Sequence, residues 1–235
     1  MGTMIKTNRP IPAEQVKLLI FDLDGTLVDS RQDLSNSINA MLRHYGKSEL
    51  PCNVIASYIG DGAPMLVRRA LGDPDDEGLV PEAIGFFLAY YREHKLDNTY
   101  VYDHVIETLD QLAASRNGAQ PRKLAVLSNK PVHPSRAICE ALGLSKFFFQ
   151  VYGGNSFHTK KPDPLGVETL LGEAGARPEE AVIIGDSDID VITARSSGIY
   201  SVGVSYGLAP HTLEAAPPDV LVDSAKEWAT LFLRP

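Results

Sequence analysis

Apolar positions along the chain fall into two kinds of run. Short, nearly unbroken apolar stretches end abruptly in glycine, aspartate, serine or asparagine. Val16 to Phe21 is the first, followed by Lys123 to Leu127, Phe147 to Tyr152, Ala181 to Ile184, Tyr200 to Val204 and a shorter Val220 to Val222. Runs of about four to eight such residues bounded by turn residues suit strands buried in a parallel sheet. Between them the apolar positions recur at helical spacing. Ala137, Ile138 and Leu142 do so within Pro134 to Leu142, and Leu165, Thr169, Leu170 and Leu171 within Pro164 to Ala174. Ile189, Ile192 and Thr193 repeat the pattern after the fourth strand. Strands alternating with helices of this length predict βαβ units: an α/β fold with a doubly wound parallel sheet and helices on both faces.

One stretch breaks the alternation. From about Arg31 to Val101 there is no strand pattern. Leu34, Ile38, Met41, Leu42 and Tyr45 mark one amphipathic helix, and Ile84, Phe87, Leu88 and Tyr91 another. Gly60, Gly62 and Pro64 precede a third, from Met65 to Leu71. Residues 31–102 are therefore expected to form an inserted all-helical unit, and residues 1–30 with 103–235 the α/β core. An insertion at the carboxyl end of a strand lies over the edge where α/β sheets bind ligands.

Composition narrows the function classes. Acidic residues outnumber basic ones, 30 to 22, for a formal charge of −8, and no Lys/Arg-rich run occurs. A nucleic-acid partner, which needs a basic footprint, is not expected. No apolar run reaches the roughly 18 residues of a membrane span, and the start carries no signal-peptide core; the expectation is a cytoplasmic protein, monomeric or homodimeric. Cys52 and Cys139 are far apart and lack metal-ligand spacing, so neither a disulfide nor a zinc site is expected.

Candidate chemistry sits where the apolar runs end. The first strand runs into Asp22-Leu23-Asp24-Gly25-Thr26. Two carboxylates two residues apart point to one side of a strand and repel unless a cation joins them. Magnesium, which prefers oxygen ligands, fits; a solvated Asp-Gly turn is the alternative. The second strand ends Ser128-Asn129-Lys130 before a helix, either an anion cradle or a plain helix cap. Lys160-Lys161-Pro162 follows in a loop, where a lysine can neutralise phosphate charge or simply be solvated. The fourth strand ends Gly185-Asp186-Ser187-Asp188-Ile189-Asp190. Acids there favour a helix N-terminus on dipole grounds alone, which suits Asp188; Asp186 is the better metal ligand, and Asp190 a support for it. In a parallel sheet all four strand ends lie on one edge. Carboxylates, phosphate donors and a lysine would therefore converge, as phosphoryl transfer through a carboxylate nucleophile requires.

The order Asp-x-Asp-Gly-Thr, Ser-Asn, Lys-Pro, Gly-Asp-Ser-x-x-x-Asp resembles the haloacid dehalogenase superfamily of phosphatases, over nearly the whole chain from Val16 to Leu233. The resemblance implies a Rossmann-like core with a helical cap and a Mg2+ cofactor. It implies Asp22 as nucleophile and metal ligand. Asp24 would be acid and then base, with its backbone carbonyl on the metal. Ser128 and the Asn129 backbone would hold phosphoryl oxygens, Lys161 would bridge nucleophile and phosphate, Asp186 would complete the metal site and Asp190 would support it. More narrowly, Phe21 to Ser30, Ile59 to Ala63, Ser128 to Pro131, Gly185 to Ser187 and Ser201 to Gly207 look like phosphoglycolate phosphatases. Two stretches depart from that pattern: Tyr102-Asp103-His104-Val105, and the spacing in Lys161-Pro162-Asp163-Pro164. The implied partner is phosphoglycolate or a similar small phosphorylated metabolite.

Other readings share parts of this pattern. Asp24 argues against a dehalogenase, which lacks the second aspartate, and Lys47, in a turn-like Gly-Lys-Ser context, reads as solvated rather than as the Schiff-base lysine of a phosphonate hydrolase. A sugar phosphomutase shares the core motifs, and a non-catalytic binding module would retain the fold but lack a motif residue. Substrate choice is expected in the cap, near Gly60-Asp61-Gly62, with Arg68 or Arg69 either meeting a substrate carboxylate or lying on a solvated face. Linkers near Ser30 and Tyr102 suggest a cap that opens and closes.

Overall fold

The structure, a computed structural model, describes residues 5–75, 78–117 and 120–233. Lys6–Thr7 forms β1 and Leu18–Phe21 forms β2, the first strand expected from sequence. A two-residue strand β3, Val28–Asp29, leads into four helices: α1 (Arg31–His44), α2 (Cys52–Ala56), α3 (Ala63–Ala70) and α4 (Leu79–His94). The chain returns through β4 (Tyr100–Val101) and α5 (Val105–Ala114), and then a small hairpin of β5 (Arg116–Asn117) and β6 (Gln120–Pro121). The remaining elements alternate: β7 (Lys123–Leu127), α6 (Val132–Ala141), β8 (Gln150–Tyr152), α7 (Leu165–Ala174), β9 (Ala181–Gly185), α8 (Asp188–Ser197), β10 (Tyr200–Val204), β11 (Val220–Val222) and α9 (Lys226–Phe232).

Seven strands form one sheet in the order β1-β11-β10-β9-β2-β7-β8. All neighbours are parallel except β1, which runs antiparallel to β11 at the edge. β2 lies between β7 and β9, with Phe21 in register with both Val126 and Ile184. That register aligns the carboxyl ends of the three central strands, and the residues that follow them share one edge.

β2 is fully buried, and its alternation splits the core in two. Leu19 and Phe21 pack with Val105 and Leu109 of α5, Ile138 of α6 and Trp228 of α9. Leu18 and Ile20 pack on the other face with Val167 and Leu170 of α7 and Ala194 of α8. This two-sided burial explains why the strand reads as a continuous apolar run rather than an alternating one.

The inserted helices have an apolar cluster of their own. Leu34, Ile38 and Met41 of α1 meet Leu66 and Val67 of α3 and Phe87 and Tyr91 of α4. Both connections to the core pass through β3 and β4, which pair antiparallel, Val28 with Val101 and Asp29 with Tyr100. The sequence pattern places no strand between Arg31 and Val101, because a two-residue strand carries no periodicity; Tyr100–Val101 corrects that reading. The second correction concerns Phe147 to Tyr152, whose first residue belongs to a 3-10 turn (Ser145–Phe147), with the strand beginning at Gln150.

The base of the insertion is tied by one buried carboxylate. Asp33, at the start of α1, accepts hydrogen bonds from the backbone N–H and side-chain amide of Asn98 and from the backbone N–H and hydroxyl of Thr99, at 2.7–3.0 Å. Asp33 and Thr99 are both buried. Asp33→Ala leaves the two Thr99 donors buried without partners, at about 1–3 kcal/mol each. Chemical denaturation of this variant is expected to show a loss of about 3 kcal/mol in unfolding free energy, and an unchanged midpoint would contradict the role assigned to Asp33.

Candidate active site

Asp22 directly follows β2, and its backbone N–H continues the ladder to Ile184 O of β9 at 2.9 Å. Asp186 directly follows β9. The neighbouring backbone is drawn in close around it. Gly25 adopts φ +88°, and a Cβ there would come within 2.2 Å of Asp186 Oδ2; a Cβ on Gly207 would come within 2.2 Å of Asp186 Cβ. Glycine at both positions allows two loops to close on one carboxylate. The loop after β10 also supplies two donors, since Asp186 Oδ2 accepts the backbone N–H groups of Leu208 at 2.6 Å and Ala209 at 3.0 Å.

Lys161 joins the carboxylates. Its ammonium donates to Asp22 Oδ1 at 2.8 Å and to Asp190 Oδ1 at 2.6 Å. Asp190 Oδ2 accepts from Ser187 Oγ at 2.9 Å and from its backbone N–H at 3.3 Å. Carboxylate oxygens of Asp22, Asp186 and Asp190 all lie within 4.8 Å of one another. Asp24 is held apart from this group. It accepts from Ser30 Oγ at 2.5 Å and from the Lys130 ammonium at 2.8 and 3.1 Å.

The charges do not balance within the protein. Four carboxylates face two ammonium groups, leaving two negative charges in a buried edge. Burial, with the Asp190 and Asp24 charges and against the pull of Lys161, raises the Asp22 carboxyl to about 6. Burial and the Asp22 and Asp190 charges raise Asp186 to about 8, although its two backbone donors oppose the shift. Burial alone would lower Lys161, but the carboxylates of Asp190 and Asp22 hold it above the usual lysine range. Lys130 is held up in the same way, against burial, by Asp24 and Tyr91. An all-oxygen donor set with two uncompensated charges fits a hard divalent cation such as magnesium. Asp22 and Asp186 would hold it, with Asp190 behind them. The Asp24 side chain lies outside the three-carboxylate group, so its link to the cation would be its backbone carbonyl.

These residues open onto a cleft of about 710 Å³ between the sheet edge and the inserted helices. Asp22, Asp24, Ser128, Asn129, Lys161 and Asp186 all line it, and Asp190 stands directly behind through Lys161. Neither Ser128 nor Asn129 caps α6, whose first turn starts from Pro131 without a side-chain cap. Asn129 Nδ2 donates to Gly60 O at 3.1 Å and Lys161 O at 3.0 Å, which ties the inserted loop to the core and leaves the backbone N–H for the role implied by resemblance. Asp188 is the first residue of α8 and stands outside the cleft lining, in keeping with its helix-dipole reading. Arg68 pairs with Asp73, and Arg69 pairs with Asp61 at 2.6 Å; neither lines the cleft, so the solvated-face alternative describes them. Lys47 is exposed.

Two contributors escape the sequence reading. Lys130 carries no role there although it sits in the Ser-Asn-Lys-Pro stretch, because its partner Asp24 is 106 positions away. Leu208 and Ala209 act through backbone N–H groups, which side-chain identity does not reveal; the available signal is Gly207 just before them.

Residues 19–204 match the family described as Haloacid dehalogenase-like hydrolase. The chain belongs to that family. It is 37% identical over 223 residues to a phosphoglycolate phosphatase of Chromobacterium violaceum, covering 93% of this chain and 97% of that one. It is also 37% identical over 222 residues to a phosphoglycolate phosphatase of Neisseria meningitidis, covering 91% and 92%. Among solved structures, a predicted phosphoglycolate phosphatase from Haemophilus somnus superposes with a TM-score of 0.84 at 32% identity, over 92% of this chain and 98% of that chain. The haloacid dehalogenase-like hydrolase described here is thus a phosphoglycolate phosphatase-like enzyme with a capped α/β core. No helix among the described residues is long and apolar enough to cross a membrane.

The raised carboxyls set the pH dependence of the metal-free protein. As pH rises from the ordinary aspartate value of 3.8, the unfolded chain ionises before the folded one. Stability is therefore lost upward, through about 6 for Asp22 and about 8 for Asp186. A cation must displace those protons, so it binds more tightly at higher pH. Thermal unfolding with chelator or with excess Mg2+ is expected to show a larger metal-induced gain in Tm at pH 8 than at pH 5. A gain independent of pH would contradict the shared-carboxylate site.

Proposed function

We propose that this enzyme hydrolyses a small phosphomonoester, phosphoglycolate first among them, through an aspartyl-phosphate on Asp22 with Mg2+ as cofactor. The observation that carries the reading is the unequal treatment of two aspartates two residues apart. Asp22 is tied to Lys161 in the three-carboxylate group, whereas Asp24 is tied to Ser30 and Lys130 on the other side. Two carboxyl groups in different environments are what nucleophile and acid–base roles require.

In this reading Asp22 attacks phosphorus with one carboxylate oxygen while Lys161 holds the other oxygen and the incoming phosphoryl group. Ser128 Oγ and the Asn129 backbone N–H bind phosphoryl oxygens. Asp24, as the acid, gives its proton to the leaving oxygen, and afterwards takes one from the water that attacks the aspartyl-phosphate. Asp190 keeps Lys161 in place. The cation, when bound, neutralises charge that builds on the transferring group. Residues 31–102 act as the unit that covers this chemistry, a role supported by their separate apolar cluster and by their share of the cleft wall.

A panel of phosphomonoesters with Mg2+, read by released phosphate, tests the reading. Turnover without added bisphosphate is expected, where a phosphomutase would need one. Asp22→Asn should lower kcat by about 10³-fold or more; full activity in that variant would overturn the mechanism. Asp24→Asn should cost about 10²–10⁴-fold on an alkyl phosphate and far less on p-nitrophenyl phosphate, whose leaving group needs no proton. Equal losses on both would remove Asp24 as the acid.

A further inference from the structure

The cleft wall contributed by the inserted helices is apolar. Leu34, Ile59, Leu66, Phe87 and Leu88 line it, and no cationic side chain of those helices does. Among the described residues that line the cleft, the cations are Lys130 and Lys161, both from the core. Lys161 bonds Asp22 and Asp190, and in the proposed mechanism its remaining N–H serves the phosphoryl group. A substrate that carries a negative charge on its leaving group, beyond the phosphate, therefore has one ammonium to meet.

Lys130 is placed for that contact. Its ammonium bonds both oxygens of Asp24 at 2.8 and 3.1 Å, and it lies 4.6 Å from the ring centre of Tyr91 on α4. It thus spans the gap between the acid–base carboxylate and the apolar wall. Tyr91 is buried, and its hydroxyl oxygen faces the Lys130 ammonium, while its O–H has no acceptor among the described residues. A buried O–H without an acceptor, on a residue that lines a cleft, is an unmet donor that a ligand can satisfy. Asp24 would not be stranded by losing Lys130, because Ser30 Oγ holds it at 2.5 Å.

We propose that Lys130 and Tyr91 form the subsite for a carboxylate on the leaving group, so that the site favours an α-phosphorylated carboxylic acid. The inference rests on the reading of Asp24 as the acid. In such a substrate the carboxylate carbon is two bonds from the ester oxygen, so a carboxylate on Lys130 brings that oxygen beside Asp24. A neutral leaving group offers Lys130 no charge to meet, which makes the subsite a device for specificity.

The test compares phosphoglycolate with 2-hydroxyethyl phosphate, in which a hydroxymethyl group replaces the carboxylate, using the full chain with Mg2+. The wild type is expected to favour phosphoglycolate in kcat/KM. Tyr91→Phe leaves the Lys130–Asp24 pair intact and should lower kcat/KM for phosphoglycolate by roughly three- to tenfold, the worth of one hydrogen bond, with a smaller change on the neutral ester. Lys130→Met should reduce the preference at least tenfold, chiefly through KM for phosphoglycolate, and Lys130→Arg should restore part of it. Equal losses on both substrates in Lys130→Met would make Lys130 a positioning residue for Asp24 only. That result, or a wild type without preference, or a Tyr91→Phe variant with unaltered phosphoglycolate kinetics, would overturn the subsite. A wild type that releases phosphate from neither ester, nor from p-nitrophenyl phosphate, would fail at the earlier step and overturn the phosphatase reading itself.

Discussion

Mutual repulsion among buried carboxylates at the carboxyl ends of β2 and β9 governs the architecture of this protein's cleft. Asp22, Asp186 and Asp190 crowd within 4.8 Å, and Asp24 adds a fourth acid two residues from Asp22. Bringing such groups out of water is unfavourable unless each is paired. Every nearby feature serves that need. Lys161 bridges two of the acids, Lys130 and Ser30 hold Asp24, and the loop after β10 turns two backbone N–H groups onto Asp186. Gly25 and Gly207 are there because any side chain would collide with Asp186. The remaining imbalance of two charges is the physical case for a divalent cation.

The sheet makes the crowding unavoidable. With β2 flanked by β7 and β9 in a common register, whatever follows Phe21, Leu127 and Gly185 lands on one edge. The two faces of β2 are sealed by α5, α6 and α9 on one side and α7 and α8 on the other, which fixes the strand ends rigidly. The inserted helices close the same edge from above while standing on the narrow β3–β4 pair and the Asp33 tie. A rigid platform below and a separately packed unit above are what a cleft needs to hold its charges in place while admitting a substrate.

Much of this is legible in the sequence because burial on both faces writes itself as unbroken apolar runs. The central strands and the acids at their ends can be read that way, and parallel topology then implies convergence. What cannot be read are elements and contacts without a local signature. β1 and β4 are two residues long and largely exposed, so no period marks them. Lys130 looks like any loop lysine until the fold brings Asp24 to it. Arg68 and Arg69 look available to a substrate, but Asp73 and Asp61 claim them. Asn129, whose backbone is the expected phosphate donor, has a further task for its side chain, joining Gly60 of the insertion to Lys161 of the core. In each case the missing information is which partner the fold brings to the side chain, whether near or far along the chain.

The central claim is that Asp22 and Asp186 share one hard cation at this edge. A crystal grown with Mn2+ in place of Mg2+ tests it directly through anomalous scattering. One strong peak bonded to carboxylate oxygens of both Asp22 and Asp186 is expected, with Asp190 still held by Lys161. No peak at the sheet edge, or a cation bound by only one of the two aspartates, would contradict the claim.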